Sequence, residues 1–599
     1  MKKLDRRDFL RLTAMAAISA AMAACQPKVI EKVVEVTKEV EKVVEKEKVV
    51  KETVEVEKVV EKEKVVKETV VVEATKSIPS GGTVYLNFAE WYPVGWIQGS
   101  AHVPVRTNHE PLFYTQRDGS VYGHLAESYE ASADGTQFTF HLRKGVKWHD
   151  GEDFNAEDVA FTTYFYCRPA NIMPGGAWSP LYYGAIKGAT EYHEGTADDI
   201  EGQEVLDDYT IRFTLAKPNA PWIGVCWAAY GAGIPAGRIA LPEHIFKDVK
   251  NEDVLEEYAD IWMDPKIQTG TGAFKYVGAE MKQWAKFERF DDYWGGKPYL
   301  DGITWQNFGT ADTQMIALEK GELHTTGAGA KTINLFLQMD NVEVVLYPAF
   351  YVQGIGFNLA VPAIADVRFR KAISHCLDRQ AMVQGLQGGM GKPWYSFVEY
   401  DPWLNEDMPK YPYDPDKAKA LLAELQAEGL FDPDYEFLFI YHTEDRANPV
   451  NVMVDYMKAV GIKARGQLFE YAAAQAKWDT GEAHFQMVGL GWGVTDPSAQ
   501  AGYVASKEAG MMGGQMVELA TQFQDLYDKG LATTVHEERK AIYDEIQRLF
   551  GEHLPFCPIW QLTSAAAFRT EWHAEDQPGP GPMGPNQDWA WPHTWYLEK

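Results

Sequence analysis

The stretch KWHDGEDFNAEDV, residues 147 to 159, packs one His and five carboxylates into thirteen positions. That density suits two chemistries. A metal site needs ligands converging at fixed reach, and an acid-base pair needs two carboxylates held in different environments. Chain order offers a third reading. Asp150-Gly151 is a turn dipeptide, since Gly supplies the positive φ of a tight turn. Asn155 then stands where a helix cap belongs, with Glu157 and Asp158 against the positive helix end. These signals predict a turn followed by a helix through AEDVAFTTYFY, with no metal centre.

Other reactive patterns are scarce. Neither G-x-S-x-G nor H-E-x-x-H occurs; HEER at 536 lacks the second His. GLQGGMGKP imitates a phosphate loop, but its glycine spacing is wrong and Pro393 replaces the Ser or Thr that would hold magnesium. Cys167, Cys226, Cys376 and Cys557 form no C-x-x-C pair and no zinc pattern, which leaves buried thiols or a disulfide open. No cofactor is expected.

The elements that would position a site come from a long, acidic chain. At 599 residues it exceeds one hydrophobic core, so two or more cored lobes are expected. The net charge of -29 argues against nucleic-acid binding, which needs clustered Lys and Arg. Nineteen Trp, 30 Tyr and 28 Phe exceed what a core alone asks for and point toward a ligand cavity. A glycoside hydrolase could hide two carboxylates among so many, and a surface adhesin would suit the stalk described next.

MKKLDRRDFLRLTAMAAISAAMAAC, residues 1–25, has a basic start, a short apolar run and a terminal Cys, the layout of an export signal. Arg6-Arg7 matches a twin-arginine signal. AMAAC resembles the bacterial lipoprotein box, with Met22 in place of the usual Leu, which implies a lipid on Cys25 and attachment to the membrane. Residues 26–80 are dominated by Val, Glu, Lys and Thr, and EKVVEKEKVVKETV occurs at 41–54 and 57–70. Glu47 breaks any heptad stripe, so this stretch reads as a charged spacer, extended or transiently helical.

From residue 81, short β-rich runs alternate with helical ones, an α/β or α+β pattern of mixed sheets. Five blocks in order resemble the extracellular solute-binding proteins of family 5, the oligopeptide, dipeptide and nickel class of ABC importers. They are EPLFYTQRDGSVYGHLAESYEASADGTQFTFHLRKGVKWHDGEDFNAEDVAF; TGTGAFKYVGAE with FERFDDYWGGKPYLDGITW; IGFNLAVPAIADVRFRKAISHCLDRQAMVQG; YDPDKAKALLAE; and EERKAIYDEIQRLFGEHLPFCPIW. The resemblance implies a two-lobe periplasmic-binding-protein type II fold. Lobe one would span 81–344 with a subdomain at about 112–220, lobe two 345–555, and residues 556–599 would return to lobe one. It also implies a monomer that holds a small solute between closing lobes and hands it to permease and ATPase subunits.

Ligand residues follow only by that resemblance. Arg446 falls where dipeptide binders place the Arg for the ligand carboxylate; otherwise it is a surface Arg paired with Glu444 or Asp445. LGWGVTDPSA matches the segment that grips the ligand ammonium, with Trp492 on the cavity wall. Peptide binders carry an acidic residue between that Trp and the Asp-Pro pair. Here Gly493-Val494-Thr495 stand there and only Asp496 remains. If Asp496 caps a turn, the ammonium anchor is missing and an uncharged ligand such as an oligosaccharide gains ground against a peptide. Glu90 and Trp91 sit at the family's first cleft loop.

Overall fold

The computed structural model describes residues 54–60, 64–70, 78–87, 105–115, 120–169, 182–229, 239–250, 260–398, 402–491, 496–505, 517–574 and 592–598. It divides into a unit within 7–80 and a unit from Gly81 onward.

In the first unit, Val54–Val60 (β1) and Lys64–Val70 (β2) pair antiparallel, from Val54 opposite Val70 to Val60 opposite Lys64. At these residues the segment expected to be an extended or transiently helical spacer is a two-stranded hairpin. Alternating β-branched Val favours the pleated backbone.

The second unit begins with Thr83–Asn87 (β3), Phe113–Thr115 (β4) and Val121–Gly123 (β5). Ala126–Ala131 (β6), Gln137–Leu142 (β7), Gln203–Asp207 (β8) and Thr210–Thr214 (β9) form a four-stranded antiparallel sheet in the order β6-β7-β9-β8. Ala228–Ala229 (β10) joins β4 and β5 in a three-stranded sheet. Beneath them lies one aromatic core that includes Phe140, Trp148, Phe213, Trp222 and Trp227.

Next come Phe274–Glu280 (β11), Trp284–Arg289 (β12), Gly302–Gln306 (β13), Thr325–Gly327 (β14), Val342–Phe357 (β15) and Gly391–Pro393 (β16). Phe437–Tyr441 (β17), Ala464–Leu468 (β18), Phe485–Leu490 (β19) and Phe556–Arg569 (β20) complete an 11-stranded mixed sheet. Its order is β11-β12-β13-β3-β14-β20-β15-β19-β17-β18, with β16 also on β20. Trp572–Ala574 (β21) and Trp595–Leu597 (β22) pair separately.

Two large hydrophobic cores share this sheet, with a small cluster of Leu438, Ile440, Ala474 and Ala483 beside them. One gathers Val84, Phe287, Trp305, Phe568 and Trp595; the other gathers Val352, Phe369, Met453, Phe485 and Trp560. The long partners β15 and β20 contribute to both, Val345 and Phe568 to the first, Val352 and Trp560 to the second. Two extended strands thus carry the chain from one core to the other and back.

The opening cluster is structural. Gly151 has φ 99°, the turn conformation its sequence asked for. The helix Ala156–Cys167 starts on Asn155, whose Oδ1 accepts from Glu157 N at 2.8 Å, while Asp158 Oδ2 accepts from Asn155 N at 3.1 Å. Asp158 also accepts from Trp148 Nε1 at 3.1 Å and from Glu243 N at 2.9 Å. His149 bridges to the TGTGAF loop: Nδ1 accepts from Gly270 N at 3.2 Å and Nε2 donates to Gly272 O at 2.8 Å. Asp150 meets His244 at 2.7 Å. His149, Asp150, Asn155 and Asp158 are therefore engaged in structural contacts, and among the described residues no three His, Cys, Asp or Glu converge as metal ligands.

Candidate ligand-binding site

Where β15 and β20 run between the cores, hydrogen-bond parity fixes which groups face which neighbour. Thr570 N donates to Asn341 O beside β15, and Arg569 N donates to His324 O beside β14. In an antiparallel ladder a residue's N–H and C=O point to the same neighbour, so odd-numbered residues of β20 face the β14 and β16 edge. β14 covers that edge at Ala566–Phe568 and β16 covers it at Trp560–Leu562. Between them, Thr563 N reaches Met390 O at 3.4 Å and Ala328 N reaches Ala565 O at 2.8 Å. Thr563 O and Ala565 N–H face the same gap, and neither has a partner among the described residues. Met390 N, which would serve Thr563 O, donates to Gln387 O instead.

A cavity of about 340 Å³ lies over this gap, within the size range of ligand pockets. Gly327 to Ala330 form one wall, Gln387 and Met390 another, and Tyr347 with Leu562 to Ala565 the floor. Ala565 is 4% exposed, so its unpaired N–H is costly unless something in the cavity accepts it. None of these residues follows from the sequence resemblance. Two stretches signalled the cavity: the small-residue run TTGAGA, 325–330, which resembles any glycine-rich loop, and GLQGGMGKP, which holds Gln387 and Met390 and imitates a phosphate loop.

Arg446 ends a short 3-10 turn, Glu444–Arg446, at the start of the helix Ala447–Ala459. It is half-buried, and Nη1 donates to Met487 O on β19 at 2.8 Å and to His442 Nε2 at 3.2 Å. Burial and the Arg446 charge both depress the His442 pKa, which keeps that imidazole neutral and able to accept. No carboxylate among the described residues pairs with Arg446, so the alternative of a surface pair with Glu444 or Asp445 is not the arrangement found.

Asp496 is committed elsewhere. Its carboxylate meets Arg539 Nη1 at 2.7 Å and Nη2 at 3.1 Å, and Oδ1 accepts from Ser498 N at 2.9 Å at the start of the helix Ser498–Ala505. Burial pushes its pKa up, but the Arg539 charge and these hydrogen bonds outweigh burial and hold it below the usual carboxylate range. Asp496 is thus a cap with a buried cation beside it, not an open anion awaiting an ammonium. The pair borders a second cavity of about 330 Å³, whose far wall is Thr115, Ser120, Tyr129 and Gly224. Arg539, in the helix His536–His553, escaped the sequence reading although its block EERKAIYDEIQ was recognised.

Arg446 and Asp496 share no hydrogen bond or ion pair. Glu90, Trp91, Trp492 and Cys25 lie outside the described residues. The four remaining thiols, Cys167, Cys226, Cys376 and Cys557, are buried and unbridged.

Residues 120–511 match the family model for bacterial extracellular solute-binding proteins, family 5 Middle. The chain belongs to that family. It is 27% identical to the dipeptide-binding protein of Escherichia coli over 461 residues, 75% of this chain and 82% of that one. Among solved structures it resembles the ABC transporter substrate-binding protein CtaP of Listeria monocytogenes, with TM-score 0.70 and 23% identity over 87% of this chain and all of that one. It also resembles the oligopeptide-binding protein AppA of Bacillus subtilis in complex with a nonapeptide, with TM-score 0.64 and 21% identity over 87% of this chain and all of that one. The fold is the mixed α/β fold of type II periplasmic binding proteins. As a family 5 member the chain is an extracytoplasmic solute-binding protein of an ABC importer, a transport role and not an enzymatic one. The oligosaccharide alternative gains no support from these relatives. No helix among the described residues is long and apolar enough to cross a membrane.

Proposed function

We propose that this chain captures peptides for its importer and is anchored to the outer face of the cell membrane by a lipid on Cys25. The observation that carries the peptide reading is Arg446, a half-buried cation without a carboxylate partner among the described residues. It stands at a helix start, where the backbone adds positive potential, and a ligand carboxylate completes it. Its bonds to Met487 O and His442 hold it in place before ligand arrives. The unpaired Thr563 C=O and Ala565 N–H supply the donor and acceptor pattern that a peptide main chain complements. With Asp496 neutralised by Arg539, no anion is assigned to the ligand's ammonium, so peptides with a blocked amino end bind about as well as free ones.

In this reading residues 81–344 with the far end of β20 and the residues after it make lobe one, residues 345–555 with Phe556 to Trp560 make lobe two, and the monomer closes on its ligand before meeting the permease. Trp492, Glu90 and Trp91 are assigned to the ligand by the family resemblance alone. Titration of a tripeptide tests the carboxylate site. Arg446→Ala strands the ligand charge and costs roughly 2–5 kcal/mol of binding. Equal affinity in parent and variant, or an equal loss with a C-terminally amidated peptide, contradicts the role of Arg446.

A further inference from the structure

The cavity over the β20 gap has properties that the carboxylate site does not explain. Among the described residues no Asp, Glu, Lys, Arg or His lines it. Tyr347, Met390 and Leu562 give it apolar surface, and one wall is narrow in side chain, Gly327 to Ala330. A Cβ built on Gly327 or Gly329 meets no atom within 4 Å, and neither glycine has positive φ. These two glycines are therefore not required by backbone strain or by close packing. Their effect is to leave space.

We propose that this cavity is a side-chain subsite that selects a large uncharged residue of the peptide, an aromatic one above all. The inference rests on the peptide reading given above and names the residue class it favours. A charged side chain entering here finds no counter-ion among the described lining residues, whereas an aromatic ring gains contact with Tyr347 and Met390. A volume of about 340 Å³ suits one large side chain and not a whole oligopeptide. Ala565 N–H and Thr563 C=O, at the floor, hold the adjoining main-chain amide and so fix which side chain enters.

The test is calorimetric titration of the full chain with tripeptides built on Ala-Ala-Ala, carrying Trp, Phe, Glu or Lys at each position in turn. At one position Trp and Phe bind about tenfold or more tighter than Ala, from the apolar area buried, and Glu and Lys bind more weakly than Ala. Gly329→Leu fills the space and brings the Trp-to-Ala ratio close to one. Gly327→Leu repeats the measurement from the strand side if the first variant does not fold. An unchanged ratio in a folded variant, or Glu or Lys bound as tightly as Phe at every position, overturns the subsite and leaves the peptide reading standing. Binding of none of the tripeptides to the parent overturns the peptide reading and the subsite with it.

Discussion

Asn155 shows how much one short side chain does in this fold. It supplies an acceptor to a helix start whose first N–H groups have no partner within the helix. Asn155→Ala costs about 1 kcal/mol, read as a lower denaturation midpoint, with peptide affinity unchanged and no metal dependence introduced. The pair Asp496–Arg539 carries more, because its side chains are 15% and 8% exposed. Removing one partner leaves the other charge buried alone, so Arg539→Ala lowers stability by roughly 3–5 kcal/mol in denaturant unfolding. The sign of its pH dependence follows from the lowered pKa of Asp496. That stability is present above the carboxylate's unfolded pKa and is lost as pH falls through the lower, folded value.

At the scale of elements, three histidines buried around the first core define another pH window. Burial lowers the pKa of His149 to about 4, of His593 to about 4 and of His109 to about 3. Between these values and the unfolded value of about 6.5 the unfolded chain binds more protons, so stability rises with pH across that window. Melting temperature should therefore fall steadily on acidification from pH 6.5 to 4. His149→Gln should flatten that slope, and an unaltered slope would show that His149 takes no part. The turn and helix at 150–167 were legible in sequence because Asp-Gly and Asn-Ala-Glu-Asp are local signals that need no distant partner. The gap in the β20 edge was not legible, because it arises where β14 and β16, far apart in sequence, stop short of each other on a third strand. Arg539 was missed for the same reason: its partner lies 43 residues away, across a helix start.

For the whole molecule, the family and its mixed α/β architecture could be read from five ordered blocks, while the site could be read only in part. Arg446 was singled out by its place before an Asn-Pro pair and its ligand role is the proposal made above, while Asp496 was singled out for an ammonium that the nearby guanidinium replaces. Attachment is tested by fractionation: Cys25→Ala should release the chain from the cell envelope, and retention would refute anchoring through that residue. Deleting residues 29–76, a segment with too little apolar variety to build a core, should leave peptide affinity and melting temperature of the remaining chain nearly unchanged. A loss of either would mean that the spacer supports the binding body.

The central claim is that a peptide occupies the chain in the cell, and native mass spectrometry of the full chain, purified without stripping ligand, addresses it most directly. The account predicts a bound species that dissociates on activation and fragments into amino-acid residues, enriched in aromatic ones, and that is lost from Arg446→Ala. A bound species that fragments into hexose units, or into nothing containing amino-acid residues, would contradict it.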